Sequence, residues 1–186
     1  MSFQHALRAV LPHASTDKST PILNAVQIDP SGVVRASDKY TLGESTFAPH
    51  SGEQGPEEPR PAFALALTDA KALAKVPGTP RITLHDEGRT AQFAYPNGPA
   101  FTFPTVEGSY PSFEHLFRAA EGEPVPIETV LLNLTYLARF DAKHLIRDRK
   151  AEKTEPGRLA FFSPSKPVLV TFGTHFRGLL VPIRGV

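Results

Sequence analysis

Apolar and polar positions fall into one pattern that repeats three times along the chain. In the first block, Leu7, Val10 and Leu11 share one side of a short helix, with His5 and Arg8 off that side and Pro12 near its end. Asp17 to Pro21 reads as a turn, residues 22–28 as a strand, and Asp29-Pro30-Ser31-Gly32 as a second turn. Further strands are expected over 33–36 and 42–48. In the second block, Phe63, Leu65 and Leu67 alternate as in a half-buried strand. Thr68-Asp69 can cap a helix over 70–76, which Pro77-Gly78 ends. Strands over 81–85, 91–95 and 100–103 are separated by the turn-forming Asp86-Glu87-Gly88 and Pro96-Asn97-Gly98. The third block offers a strand over 129–132, then a helix capped by Asn133 with Leu134, Leu137, Ala138 and Leu145 on one face. Strands over 158–162, 168–172 and 176–182 follow.

The common order is strand, helix, strand, strand, strand, with the first strand lost or truncated in the first block. A unit this small does not bury its own apolar face, so it stacks on a copy of itself. Short turns make its strands mainly antiparallel. The expectation is an α+β fold in which residues 1–118 form one domain of two units, 1–49 and 62–118. Residues 50–61, rich in Gly, Ser, Pro and Glu, form a linker, and 119–186 form a third, half-domain unit. The last apolar strand runs close to Val186, so its edge is expected to be covered by a distant segment or a partner.

Composition narrows the function. Twenty Lys and Arg stand against nineteen Asp and Glu, so bulk charge does not announce a nucleic-acid partner. A basic face can arise only by segregation. The absence of cysteine removes disulfides, thiol catalysis and cysteine zinc sites, and fits a cytoplasmic protein. Neither a signal peptide nor a membrane span is read in the chain. No enzyme motif survives inspection. Ser163-Pro164-Ser165-Lys166 has the spacing of a Ser-x-x-Lys nucleophile, but its prolines place it in a turn, where lysine cannot sit beside the hydroxyl. The histidines lack metal-site spacing, and no cofactor loop is present.

Several phrases carry a resemblance. Thr20-Pro21-Ile22-Leu23-Asn24-Ala25-Val26, Ala36-Ser37-Asp38-Lys39-Tyr40-Thr41-Leu42-Gly43, Glu107-Gly108-Ser109-Tyr110-Pro111-Ser112-Phe113 and Leu179-Leu180-Val181-Pro182-Ile183-Arg184 occur in this order. Together they resemble the middle and last domains of the bacterial DNA sliding clamp, the beta subunit of DNA polymerase III, in a shortened form. Val130-Leu131-Leu132-Asn133-Leu134-Thr135-Tyr136-Leu137 resembles the entry to the second half of the last domain, or a similar strand-helix entry. Lys39 and Thr41 depart from the family pattern, which has a small residue and an arginine there, and Gly185-Val186 replaces a final leucine.

The resemblance implies the DNA-clamp fold, with three βαβββ units, antiparallel sheets outside and helices inside. It implies a non-enzymatic protein that encircles duplex DNA without reading sequence and tethers a polymerase or another DNA-processing partner. A ring of twelve units implies a homo-tetramer, with a dimer as the alternative. The alternative role is a decoy that binds replication proteins without encircling DNA. On this reading the DNA-facing residues are Arg8, His13, Lys18, Lys71, Lys75, Arg139, Lys143, Arg147, Arg149 and Lys150. A pocket for the partner's peptide would use Leu23, Ser37, Tyr40, Thr41, Leu42, Pro111, Leu116, Leu179, Val181, Pro182, Ile183 and Arg184. For Leu23, Leu42, Leu179 and Val181 a plain core role is the competing explanation.

Overall fold

The computed structural model describes residues 1–49, 61–120, 122–127, 129–141 and 156–183. Its first unit is a helix, α1 (Phe3–Val10), and three strands, β1 (Ala25–Asp29), β2 (Val33–Ser37) and β3 (Thr41–Thr46). The second is β4 (Phe63–Ala66), α2 (Leu67–Leu73), β5 (Arg81–His85), β6 (Thr90–Ala94) and β7 (Ala100–Val106). After β7 come α3 (Glu114–Ala119) and α4 (Leu134–Leu137), then β8 (Gly157–Ala160), β9 (Val168–Phe172) and β10 (Phe176–Leu180). The strands form one antiparallel sheet in the order β5-β6-β7-β4-β1-β2-β3-β10-β9-β8.

Helices α1 and α2 lie side by side on one face of the sheet, α1 against β2 and β3 and α2 against β1 and β4. Phe3, Leu7 and Val10 of α1 meet Val26, Ile28, Val34, Leu65, Leu73 and Phe93 in the main core. The Arg8 Nε donates to the Ala74 carbonyl at 2.9 Å, placing a cation at the C-terminal end of α2 and fixing the helix pair.

Two bodies meet where β3 pairs with β10. In this joint Gly178 stands opposite Gly43, and Leu179 opposite Leu42. A side chain at Gly43 would run into the His13 ring, and one at Gly178 would meet Phe140 at 2.5 Å and the Leu42 carbonyl at 2.6 Å. The glycines thus open a hollow that His13 fills from one body and Phe140 from the other, with ring centroids 4.5 Å apart. Side chains alternate across a strand, so the other face of the joint carries Leu42, Leu179 and an ion triad. There Glu44 accepts from Arg35 Nε at 2.5 Å and from Arg177 Nε at 2.6 Å. The Arg177 guanidinium lies 3.9 Å from the Phe117 ring centroid of α3.

Four expectations are corrected. Residues 22–28 do not run as one strand, because Pro21–Asn24 forms a single 3₁₀ turn that swings Leu23 inward before β1 begins. The helix expected over 70–76 starts at Leu67, directly from the end of β4, since Leu67 packs on the core and Asp69 sits in the first turn instead of capping it. Residues 129–132 are not a strand: Ile183 N donates to the Leu131 carbonyl at 2.8 Å, but no sheet partner lies alongside among the described residues. The third helix is a single turn, α4, continued as 3₁₀ through Ala138–Phe140, and Leu145 lies outside the described residues. Asn133 caps it as expected, Oδ1 accepting from Thr135 N at 2.9 Å.

Candidate functional site

The face of the joint that carries Leu42 and Leu179 is hollowed into a groove of about 450 Å³. Its walls come from four places in the chain. Thr20, Ile22 and Leu23 belong to the segment before β1; Ser37 to Leu42, Asp38 excepted, come from the β2–β3 hairpin. Pro111, Phe113 and Leu116 follow β7, Leu179 belongs to β10, and Pro167 and Val181 lie just before β9 and just after β10. The lining is overwhelmingly apolar, so the groove suits aliphatic and aromatic anchors.

The hairpin that forms one wall is held by its own side chains. Lys39 adopts φ 81°, a left-handed conformation that a non-glycine residue keeps only when its surroundings impose it. The Asp38 carboxylate accepts from Tyr40 N at 3.0 Å, Thr41 N at 2.8 Å and Thr41 Oγ1 at 3.1 Å. The Ser37 hydroxyl donates to the Thr41 carbonyl at 2.9 Å. Arg139, from beyond α4, pairs with the other Asp38 oxygen and reaches Thr41 Oγ1 at 3.1 Å. Its guanidinium sits 4.7 Å from the Tyr136 ring centroid, and Tyr136 stacks on Tyr40 with centroids 5.1 Å apart. Tyr40 remains half exposed at the rim. Tyr110, the residue before Pro111, donates from Oη to the Ala25 carbonyl at 3.3 Å, and burial pushes its pKa far up. A second, polar cleft of about 410 Å³, reaching Asp17, Lys71 and Arg139, shares Thr20, Lys39 and Tyr40 with the groove.

Of the residues singled out from sequence, Leu23, Ser37, Tyr40, Thr41, Leu42, Pro111, Leu116, Leu179 and Val181 line this one groove. Pro182 is buried and Ile183 exposed beside it, neither lining it, and Arg184 lies outside the described residues. Sequence reasoning missed Thr20, Ile22, Lys39, Phe113 and Pro167. Four of the five stand within or beside the quoted phrases, and Pro167 opens the strand before β10.

Among the basic candidates, Arg8, Lys18, Lys71 and Lys75 are exposed. Lys71, on α2, and Lys75, just beyond it, follow the pair of helices opposite the sheet. His13 is a correction: it is fully buried between Gly43, Phe140 and Phe176, out of reach of any phosphate, because the 3₁₀ turn after α1 folds its ring into the glycine hollow. Arg139 belongs to the groove wall through Asp38, not to an open helix face. Lys143, Arg147, Arg149 and Lys150 lie outside the described residues. Ser163–Lys166 is a turn between β8 and β9, with Lys166 N donating to the Ser163 carbonyl at 3.3 Å.

No protein-family model and no curated protein sequence matches the chain. Solved structures do. The beta subunit of DNA polymerase from Streptococcus pyogenes superimposes with a TM-score of 0.70 at 16% identity, over 98% of this chain and 63% of that one. The DNA polymerase III beta subunit from Thermotoga maritima gives 0.68 at 16% identity, over 98% and 63%. The Helicobacter pylori beta clamp bound to a DNA ligase peptide gives 0.66 at 13%, again over 98% and 63%. The chain therefore has the α+β fold of the bacterial sliding clamp, and it spans about 63% of the length of these structures.

Proposed function

We propose that this chain is a non-enzymatic, clamp-like tether. It captures a short peptide of a polymerase or another DNA-processing protein in the apolar groove, and it closes around duplex DNA as an oligomeric ring in the cytoplasm. The observation that carries this reading is the groove itself. It sits at the joint between the first unit and β10, its hairpin wall is held by the Asp38–Arg139 pair, and its lining is apolar. The likeness to a clamp solved with a DNA ligase peptide supports it. Burying one Leu- or Phe-sized anchor there contributes about 1.5–3 kcal/mol, so two anchors supply about 3–6 kcal/mol, and further contacts along the groove must offset the rest of the peptide's ordering cost.

Ring closure supplies persistence, and weak phosphate contacts leave the duplex free to slide. The cations that serve are Arg8, Lys18, Lys71 and Lys75, together with Lys143, Arg147, Arg149 and Lys150. Three units per chain and twelve per ring make a homo-tetramer, with a dimer as the alternative. Chains with an odd number of units meet head to head and tail to tail, so the interfaces are isologous.

The test is fluorescence anisotropy with a labelled DNA ligase peptide of the kind the Helicobacter pylori clamp binds. Saturable binding that Val181→Asp abolishes is expected; binding that ignores this substitution, or none at all, overturns the groove reading. The loss of His13 and Arg139 from the basic set favours one second reading, a decoy that holds replication proteins without encircling DNA. Polymerase stimulation on a primed circular template separates the two. A tether stimulates, and Lys71→Glu with Lys75→Glu lowers stimulation, with a deficit in DNA affinity that shrinks as added salt screens the phosphate contacts; a decoy only inhibits.

A further inference from the structure

The exposed large apolar side chains of the described residues are concentrated in the third unit. Val125, Leu131, Leu134, Leu159 and Ile183 belong to it, whereas the first two units leave only Tyr40 so exposed. Helix α4 has no buried residue at all, and Leu134 is 74% exposed. Its counterparts behave differently: α1 buries six residues, and in α2 the first residue, Leu67, packs on the main core.

The same chain shows what covers such a unit. In the first two units, β4 is the segment just before α2, and β1 is the first strand after α1. They pair antiparallel over Ala25↔Ala66, Val26↔Leu65, Gln27↔Ala64 and Ile28↔Phe63, and α1 and α2 pack together behind them. In the third unit, residues 129–132 hold the place of β4, just before α4, and β8 holds the place of β1. Residues 129–132 touch their own unit through Ile183 N and the Leu131 carbonyl at 2.8 Å, much as β4 touches β7. Their other edge has no strand beside it among the described residues. Likewise β8 is the last strand of the sheet, and among the described residues it is Val125 N, donating to the Phe161 carbonyl at 2.9 Å just past β8, that comes near that edge.

We infer that the third unit pairs with the third unit of a second copy of this chain, residues 129–132 of each lying along β8 of the other. The sequence pattern that predicts a strand over 129–132 and the absence of one in the single chain then have one cause: the strand's partner is another molecule. A two-fold axis makes both pairings at once, as isologous interfaces require. It buries Leu131, Leu134 and Leu159, converts two open edges into ladders, and builds from two half-domains the arrangement that the first two units make within one chain. This inference deepens the oligomeric part of the proposed function and rests on that part alone; it needs neither DNA nor peptide.

The test is sedimentation equilibrium of the full chain, with amide hydrogen exchange read at residues 129–132 and β8. The wild type is expected to be an even multiple of 20.2 kDa. Leu134→Glu and Leu159→Arg, both at side chains already exposed in the single chain, are each expected to halve that mass with an unchanged circular dichroism spectrum. They are also expected to remove slow exchange at Leu131, Leu132 and Leu159. A single-chain mass at every concentration overturns the inference. So does an oligomer whose mass neither substitution changes, or one that forms only with a different protein. Anisotropy with the labelled peptide on Leu134→Glu keeps the two readings apart. Retained peptide binding with halved mass supports both, and halved mass in a protein that never binds peptide leaves this joint standing while the groove reading falls.

Discussion

Replacing Gly178 by alanine probes the joint between the two bodies directly. The added methyl would lie 2.5 Å from Phe140 Cε1, 2.6 Å from the Leu42 carbonyl oxygen and 3.2 Å from Phe176 Cζ. The Phe140 ring can swing, but the carbonyl belongs to the strand that pairs with β10, and it moves only if the ladder opens. Overpacking of this kind costs about 1–3 kcal/mol. For a protein of this size each kcal/mol lowers Tm by roughly 2–4 °C, so a drop of roughly 2–12 °C is expected. Far-UV circular dichroism melts give Tm, and urea titration should show a lower midpoint at unchanged m. Peptide affinity should fall as well, since Leu42 and Leu179 line the groove from the two sides of the same ladder. Gly43→Ala drives its methyl into His13 from the opposite strand, and because the two sites face each other, the double substitution should cost less than the sum. A Gly178→Ala protein that melts with the wild type and binds peptide unchanged refutes the view that paired glycines set the spacing of the joint.

Other outcomes follow from the geometry. Tyr40→Ala removes a half-exposed ring at the groove rim and should weaken peptide binding about tenfold, by roughly 1–2 kcal/mol, with Tm unchanged. Glu44→Gln leaves Arg35 and Arg177 converging on one neutral amide and should destabilise by about 1–3 kcal/mol in a denaturant titration. Burial pushes the Tyr95 hydroxyl from 10.0 to about 12. The folded state therefore holds this proton more tightly than the unfolded chain. Stability is full below pH 10 and declines as pH rises toward about 12. Tyr95→Phe should flatten that alkaline limb, read by urea titration at several pH values.

The local grammar of the chain was readable because it is set by near neighbours. The bounds of β9 and the turn at Asp86 to Gly88 follow from alternation and turn residues. The groove residues came mostly from phrases that each hold near neighbours: the segment before β1, the β2–β3 hairpin, the segment after β7, and β10. What sequence could not show depends on pairings between distant strands. His13 follows a helix and a proline, where a histidine usually meets solvent, and only the Gly43–Gly178 pair makes room for it inside. Helix α3 escaped notice because Phe113, Leu116 and Phe117 cover little more than a turn, too few for a periodic signal. The strand expected over 129–132 has a β-branched and apolar run, Thr129 to Leu132, but no neighbour to pair with among the described residues.

The pairing of β3 with β10 has a consequence for the birth of the molecule. A nascent chain completes β3 early, but the strand that seals its edge leaves the ribosome much later. Through that interval Leu42 and a row of unsatisfied backbone groups stand open to any passing extended segment. Such late-closing, long-range contacts slow folding and invite misassembly. The surface on which a polymerase tail is proposed to dock is, until synthesis reaches β10, an open adhesive seam.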